Sequence, residues 1–284
     1  MENIYIINGN HIFIENALVL SNKFNIPIQT DFNPKKGDIY IVFGGHELAI
    51  NLLEAQIRYN CSYIIMNSEQ IGSRFFHNKY YIKLMKDNIL FDYNHITSKY
   101  LKDTFDIDTL SYFFFDFIKH EQIEERDIDL LFIGTKNDER QKLYDDLVKK
   151  YPNKKIEFVF DWSLDTPIKM KEKLIKAKYV LNLPFYTENS LETHRINNAL
   201  SCGCKVVSLH SKDVIADEYY KDYIYFSDDI VDYFNDIDED NKKTYEELIT
   251  DLSKKIYMHN LFIINQLKEK ISLYNNADEK AKNL

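Results

Sequence analysis

One segment joins a glycine turn to an arginine in a way that suits a phosphate group. Leu130–Arg140 reads LLFIGTKNDER, which predicts a buried strand, a turn at Gly134 and a helix capped by Asn137 or Asp138. Such a turn leaves backbone N–H groups and the positive end of a helix facing a crevice, which suits a diphosphate. Arg140, in the first helical turn, adds a charge-assisted contact. Because every strand-to-helix unit needs a turn, a purely structural role is the alternative.

A second segment, Lys176–Ser208, is the most specific in the chain. It predicts a buried strand ending at Asn182–Pro184, then a helix with Ser190 as its cap and Glu192 near its third position, close to a capping box. Capping is a complete structural explanation for Glu192. Arg195 falls beside the buried stripe of the same helix, where a guanidinium needs an anionic partner. Arg195 is therefore a second candidate for anion binding.

Three Asp-x-Asp triplets invite a metal-site interpretation. They are Asp106–Asp108, Asp127–Asp129 and Asp236–Asp238. We reject it, because the triplets lie at linkers and acidic loops without another ligand nearby. The three cysteines show no zinc-ligand spacing, and their odd number is typical of a reduced intracellular protein. Cys202 and Cys204 are expected to be packed and unreactive, and neither a metal nor a cofactor is expected.

The composition excludes several classes of protein. The 284 residues include 36 basic and 45 acidic side chains, and a net charge of −9 argues against a protein that coats nucleic acid or binds membranes through a basic patch. With 45% hydrophobic and 29% charged residues, the chain is typical of a folded globular protein. No apolar run approaches the roughly 18–20 residues that span a bilayer, and the N-terminus lacks signal-peptide features. We expect a cytoplasmic protein, in the host cytoplasm if it is viral.

Strand-like and helix-like segments alternate through the first half, which predicts a parallel sheet. The predicted strands are Ile4–Asn8, Asp38–Phe43, Ser62–Asn67, Asn88–Asp92 and Leu110–Phe117. A charged stretch, Lys119–Asp127, then interrupts the apolar periodicity without any strand signal. We place the domain boundary there, so that residues 1–122 form the first domain.

The alternation of strand-like and helix-like segments resumes after the charged stretch and predicts a second domain over residues 127–240. Its strands are predicted at Asp129–Gly134, Ile156–Phe160, Tyr179–Phe185, Lys205–Ser208 and Tyr223–Phe226. For residues 243–284 the sequence predicts one long C-terminal helix with an apolar stripe, which would pack back across the hinge. The stripe consists of Tyr245, Leu248, Ile249, Leu252, Ile256 and Ile263. The predicted fold class is α/β, with two small Rossmann-like doubly wound domains and a long C-terminal helix.

The motif segments resemble two-domain Rossmann-type (GT-B) glycosyltransferases, especially the spore-maturation-like and viral or phage-encoded group. That group carries a pattern like KxVLNxxxY, then E-x-x-R before A-L-A-x-G, and then VVS. The matching residues here are Lys178, Val180, Leu181, Asn182, Leu183, Tyr186, Glu192, Arg195, Ile196, Ala199, Leu200, Gly203 and Val206–Ser208. In the first half, Asn67–Gln70 (NSEQ) and Phe91–Asn94 (FDYN) are similar to the family's N-x-EQ and WDYS stretches.

This resemblance implies transfer of a sugar from a nucleotide-sugar, with a UDP-sugar expected first, to an acceptor that is a glycan, a protein or a small molecule. It implies a metal-independent mechanism in which arginines and helix dipoles stabilise the departing diphosphate. The residues expected to bind the donor, all in the second domain, are Gly134, Asn137, Arg140, Asn182, Glu192, Arg195 and Asn198.

An inverting reaction would also need a base for the acceptor hydroxyl, expected in the acceptor-binding first domain. His11, His46 and Glu69 all lie just past predicted strand ends, and these three are the catalytic candidates. His46 falls at a predicted helix N-terminus, where the dipole favours the neutral imidazole that a base requires. For each of the three taken singly, the sequence favours a structural role over a catalytic one.

Asn198 is a departure from the family pattern. Many enzymes of this superfamily carry an acidic residue there, because a carboxylate accepts two hydrogen bonds from the vicinal diol of a ribose. A second hypothesis is therefore a catalytically degenerate relative that binds a sugar, a nucleotide or a protein partner without turnover. Arg140, Glu192 and Arg195 together favour the enzyme, whereas Asn198 favours the degenerate relative.

Overall fold

A computed structural model describes residues 4–112, 125–160, 167–186, 190–234, 247–248, 250–259, 261, 265–266 and 269 of the chain. The chain divides into two compact units. The first comprises Met1–Phe115 and Ile256–Leu284, and the second comprises Asp116–Lys255. Each unit contains one parallel β-sheet with helices between its strands.

The first unit contains a six-stranded sheet. Its strands are β1 (Ile4–Asn8), β2 (Ile28–Gln29), β3 (Ile39–Phe43), β4 (Ser62–Asn67), β5 (Ile89–Asp92) and β6 (Leu110–Ser111). They pair in the order β2-β1-β3-β4-β5-β6, and every pair is parallel. The helices are α1 (Ile14–Phe24), α2 (Gly45–Tyr59), α3 (Lys79–Lys86) and α4 (His95–Phe105), with 3-10 turns at His11–Phe13 and Arg74–His77.

Helices cover both faces of this sheet, which explains its almost continuous apolar strands. Along β3, Ile39, Ile41 and Phe43 belong to one buried cluster with α1. The alternating residues Tyr40 and Val42 belong to another, with α2, α3 and α4. A strand with only one buried face would alternate apolar and polar residues instead.

The strand order of the first sheet reverses between β1 and β3, where glycines allow two loops to touch. The Gly9 N–H donates to the Phe43 carbonyl at 2.8 Å, and Gly44 has a φ of +65°. The β1 loop and the N-terminus of α2 therefore meet at the carboxyl edge of the sheet.

Replacing Gly9 with alanine is expected to destabilise the first unit by about 2–3 kcal/mol. The added methyl group would lie 2.6 Å from the carbonyl oxygen of Gly44, a backbone atom that cannot rotate away. Gly45→Ala is the matched control, because its added carbon meets Val42 at 3.4 Å, an ordinary contact. Urea unfolding followed by circular dichroism measures the difference, and equal midpoints for the two variants would contradict the prediction.

The second unit contains a five-stranded sheet. Its strands are β7 (Ile128–Ile133), β8 (Ile156–Val159), β9 (Ala177–Asn182), β10 (Lys205–Ser208) and β11 (Tyr225–Phe226). They pair in parallel in the order β11-β10-β9-β7-β8. The helices are α5 (Asp138–Lys150), α6 (Pro167–Leu174), α7 (Thr193–Ser201), α8 (Val214–Tyr220) and α9 (Ile230–Tyr233). The strand order reverses between β7 and β9, which is where open parallel sheets bind ligands.

The main differences from the predicted elements concern short or terminal segments. The two-residue β2 and the short helices α8 and α9 were not predicted. The predicted strand Leu110–Phe117 is observed over Leu110–Ser111, and its part beyond Tyr112 lies outside the described residues.

The predicted C-terminal helix is described only in part. Residues 250–259 are helical, as are the described residues on either side of them. Leu248, Leu252 and Ile256 of the predicted stripe are buried at four-residue spacing, whereas the stripe's other members fall outside the described residues. No helix in the described part of the chain combines the length and apolar character needed to cross a bilayer.

Candidate functional site

Arg140 spans the reversal point of the second sheet. Asn137, one of the two predicted cap residues, caps α5 by accepting a hydrogen bond from the Arg140 N–H at 2.8 Å. The Arg140 side chain then folds back and donates to two carbonyl oxygens, that of Thr135 at 2.7 Å and that of Leu183 at 2.6 Å. Thr135 follows β7 and Leu183 follows β9, so one guanidinium ties together the loops that flank the reversal point.

The guanidinium of Arg140 is a buried cation. The residue is only 3% exposed, and its guanidinium carbon lies 4.8 Å from the ring centre of Phe132 and 5.2 Å from that of Phe185. Among the described residues it forms no ion pair, and its Nε has no hydrogen-bond partner. Burial and the nearby positive charge of Arg195 lower the pKa of Arg140 to about 10. An anion at this position would relieve both effects.

Arg195 extends from α7 to the same place. Its Nη1 lies 3.2 Å from both Asn182 Oδ1 and the Leu183 carbonyl oxygen, and its guanidinium carbon lies 5.4 Å from the Phe132 ring centre. Its Nη2 forms an ion pair with Glu192 at 3.4 Å. Arg140 and Arg195, hereafter the arginine pair, thus contact the same Phe132 ring and the same Leu183 carbonyl oxygen. The single carboxylate paired with them is that of Glu192. The pair retains a net positive charge.

The predicted capping box at α7 is wrong. The helix begins at Thr193, and Glu192 occupies the N-cap position without a side-chain hydrogen bond to the helix. Its carboxylate is directed instead to Arg195, three residues further on, which is a favourable helical spacing for an ion pair. Glu192 is therefore the anionic partner that the position of Arg195 requires.

Two further predicted residues shape the surroundings of the arginine pair. Asn182 is 3% exposed and donates through Nδ2 to the Ser208 hydroxyl at 3.0 Å, which leaves its Oδ1 free to accept from Arg195. A Cβ on Gly134 would lie 2.8 Å from Phe132 Cζ and 3.4 Å from Arg140 Nη1. Glycine is needed there because any side chain would displace the ring that supports both guanidinium groups.

The structure thus brings most of the predicted donor-binding residues together, and Asn198 makes a different contact. The residues around the arginine pair are Gly134, Asn137, Arg140, Asn182, Glu192 and Arg195. Asn198 Nδ2 lies 3.3 Å from His194 Nε2, one helical turn away. Since an amide nitrogen can only donate, this geometry assigns the acceptor role to Nε2. Sequence reasoning did not single out Phe132, the ring beneath the pair, because it reads as an ordinary core residue.

In the first unit, His46 and Glu69 lie side by side. His46 follows Gly45 at the start of α2, and its Nδ1 is 3.3 Å from Glu69 Oε1. The Ser73 hydroxyl donates to the other oxygen of Glu69 at 2.5 Å. His11 is exposed in the 3-10 turn after β1, and the described contacts do not join it to the other two.

Asn67 and Asp92 position this pair and were not predicted as site residues. Asn67 Oδ1 accepts from the Glu69 N–H at 3.1 Å and from the Tyr81 hydroxyl at 2.6 Å, and its Nδ2 donates to Asp92 at 2.6 Å. Both residues end strands and fall within the NSEQ and FDYN stretches. Their place in those motifs was the available signal.

His46 is buried and neutral. Its side chain is 4% exposed, and its ring centre lies 4.4 Å from that of Phe75. Burial lowers the pKa of His46 to about 4, a shift that Glu47 opposes and Arg74 increases. The neutral imidazole expected from the sequence is thus present, but its main cause is loss of hydration.

The free energy of unfolding is expected to fall by about 3 kcal/mol between pH 6.5 and pH 4 because of His46. In this range the unfolded chain binds a proton at His46 with a pKa near 6.5, whereas the folded chain does not until about pH 4. The unfolded state therefore binds more protons, and stability rises with pH. Urea unfolding across this range should show a smaller slope for His46→Gln, and identical slopes would contradict the assignment.

Other candidate chemistry is accounted for by local pairing. Asp106 pairs with Lys102, and Asp129 pairs with Lys178 at 2.8 Å. Within the described ranges, no three His, Cys, Asp or Glu side chains come together in a way that could hold a metal ion. Cys204 is buried, and burial raises the pKa of its thiol to about 12. The third Asp-x-Asp triplet lies outside the described residues.

Neither a protein-family model nor a curated protein matches the sequence. Among solved structures, the crystal structure of HepE from Anabaena in complex with UDP and glucose matches with a TM-score of 0.58 and 9% identity. The match covers 95% of this chain and all of HepE. The pneumococcal O-GlcNAc transferase GtfA, in complex with UDP and GlcNAc, matches with a TM-score of 0.40 and 11% identity, over 93% of this chain and 56% of that one. The second match is too weak to indicate a shared fold.

The likeness to HepE and the two parallel sheets confirm the α/β class and the two Rossmann-like domains of the predicted fold, whereas the long C-terminal helix is not shown in the described part of the chain. The protein is an α/β protein with two Rossmann-like domains of the GT-B kind. At 9% identity this likeness concerns the fold alone.

Proposed function

We propose that the protein is a glycosyltransferase that moves a sugar from a nucleotide-sugar to an acceptor hydroxyl without a metal ion. The observation that carries the proposal is the arginine pair at the reversal point of the second sheet. Arg140 is buried without an ion-pair partner among the described residues, and Arg195 lies against the same Phe132 ring. A diphosphate supplies the negative charge that this arrangement lacks.

In the proposed reaction the acceptor oxygen forms a bond to the anomeric carbon of the sugar. The bond between that carbon and the diphosphate oxygen breaks, and its electron pair leaves with the diphosphate. The arginine pair stabilises the negative charge that develops on the leaving group. The proton of the acceptor hydroxyl passes to a base on the enzyme.

We assign the base to the first unit, with Glu69 as the group that contacts the acceptor. The Glu69 side chain is 17% exposed, whereas that of His46 beside it is only 4% exposed. His46 then acts as a positioning residue for the carboxylate. His11, exposed at the end of the neighbouring strand β1, is the second candidate for direct contact.

Two independent observations support a nucleotide-sugar as donor. The motif residues Asn182 and Glu192, predicted from the family resemblance, both contact Arg195 of the arginine pair. HepE, which has the same fold, was crystallised with UDP and glucose. UDP-sugars are therefore the first donors to test.

A non-catalytic binding protein is the second candidate. Asn198 has an amide, hydrogen-bonded to His194, at the position where related enzymes have a carboxylate. His46 is too buried to reach an acceptor. Both observations weaken catalysis while leaving the arginine pair intact. This candidate predicts nucleotide binding without turnover.

Calorimetric titration with UDP, GDP and TDP, followed by assays of nucleotide release from the corresponding sugars, tests both candidates. The enzyme hypothesis expects binding and release, with rates unchanged by a chelator such as EDTA. Binding without release would support the degenerate relative, and a panel with neither would refute both. Glu69→Gln should abolish release while leaving nucleotide affinity unchanged.

A further inference from the structure

The second unit contains a groove beside the arginine pair. The groove has a volume of about 650 Å³ and runs along the carboxyl ends of β9, β10 and β11, next to α5. Its floor is apolar and includes Leu143, Leu183 and Leu209. A groove of this size and character is typical of small-molecule sites, which fall between about 300 and 1,000 Å³.

One end of the groove is marked by a cation. Arg140 lines this end and is only 3% exposed. Its Nε has no hydrogen-bond partner among the described residues. Leu183, which follows β9, contributes its side chain to the groove floor and its carbonyl oxygen as an acceptor for Arg140. A ligand in the groove therefore has its anionic part at this end.

The rim of the groove carries carboxylates. Asp146 and Asp232 are neutralised by Lys142 and Lys150, respectively. The remaining carboxylates on the rim, those of Glu139, Asp228 and Asp229, form no ion pair in the described part of the chain. A ligand that suits them brings hydrogen-bond donors rather than further negative charge.

Asp228 is the best placed of the three. Ser227 holds the turn around it, because its hydroxyl accepts from the Asp229 N–H at 3.1 Å and donates to the Asp229 carbonyl at 2.9 Å. Asp229 itself is engaged as the N-cap of α9, whereas the carboxylate of Asp228 is exposed and makes no described contact. A carboxylate on this turn can accept two hydrogen bonds from a vicinal diol.

We propose that this groove binds the nucleoside of the donor, with the base on the leucine floor, the ribose diol on Asp228 and the diphosphate at Arg140. The inference rests on the proposed function and deepens it. It assigns the ribose to the loop after β11 and not to Asn198 on α7. A carboxylate is thereby restored to the site from a different element. A purely cationic ligand would also suit the rim, but the buried charge of Arg140 disfavours it.

The test compares UDP with 2′-deoxy-UDP by calorimetry on the full chain. The unmodified protein is expected to bind UDP roughly tenfold more tightly, because the deoxy ligand loses one hydrogen bond to a charged group. Asp228→Asn should weaken UDP binding by about tenfold and remove this preference. Asp222→Asn, which changes the same charge at an exposed position away from the groove, should change neither affinity.

Other outcomes separate this inference from the proposed function. If UDP binds and Asp228→Asn retains the full preference, the diol is held elsewhere and the inference is overturned. Tighter UDP binding by Asp228→Asn would overturn it as well, since the carboxylate would then only repel the phosphates. If UDP and the other nucleotides of the panel do not bind at all, the proposed function itself fails.

Discussion

Arg140→Met is expected to weaken UDP binding by about 2–4 kcal/mol, or roughly 30- to 800-fold. Methionine fills a similar volume but removes a charge that is only 3% exposed and close to the proposed diphosphate position. The same change removes the Arg140 hydrogen bond from the carbonyl oxygen of Thr135 and leaves that of Leu183 with Arg195 as its donor. A buried, unpaired carbonyl costs about 1–3 kcal/mol, part of which is offset because a buried cation is also removed. We therefore expect unfolding at lower urea concentration, with a net loss of about 2 kcal/mol.

Two variants control for this loss of stability. Arg58→Met removes an exposed arginine from α2 and should change neither affinity nor stability. Arg140→Lys retains the charge but cannot reach both carbonyls as the planar guanidinium does, so it should recover part of the affinity. Titration at a temperature where every variant is folded separates the two effects. Wild-type affinity in folded Arg140→Met would refute the anion site.

Arg195→Ala is expected to weaken nucleotide-sugar binding by roughly 1.5–3 kcal/mol. Two effects act in the same direction, because the substitution removes a cation and leaves the carboxylate of Glu192 unpaired. The double variant Glu192→Gln and Arg195→Ala should therefore bind more tightly than Arg195→Ala alone. A double-mutant cycle by calorimetry measures this coupling, which should decrease at high salt because Arg195 is partly exposed.

The outcome also decides between two roles for Arg195. An unchanged affinity in a folded Arg195→Ala variant would make the residue a structural partner of Asn182 and Leu183. If the double variant bound no better than Arg195→Ala, Glu192 would contact the ligand itself. Either result leaves the assignment of Arg140 to be tested separately.

Most of the regular elements followed from local sequence patterns. The strands β1, β4 and β10 have the predicted bounds, because β-branched and aromatic runs bounded by polar residues favour no other structure. Asn137 or Asp138 was predicted as a cap because both side chains accept hydrogen bonds from helix N–H groups, and the structure shows Asn137 in that position. The elements that the patterns did not predict, β2, α8 and α9, have only two to seven residues, which is too short for a periodic signal.

The role of Glu192 was not predictable from its neighbours in the sequence. Its spacing from Ser190 is close to that of a capping box, but the helix starts at Thr193 and the carboxylate pairs with Arg195. The competing partner is the partly exposed guanidinium of Arg195, and the ion pair with it replaces the cap. The position of that guanidinium over Phe132 depends on β7, which lies far away in sequence.

The sequence alone determined the α/β class, the parallel sheets and the candidate arginines, because these depend on short-range periodicity and side-chain chemistry. Only the tertiary structure decided that Arg140 and Arg195 share Phe132, that His46 lies against Glu69, and that Asp228 lines a groove ending at Arg140. Strand order brings these residues together, and it is set by the packing of whole layers. The turn at Gly134 and the loop that carries Asp228 therefore form one candidate site only when β7, β9, β10 and β11 pair in their observed order.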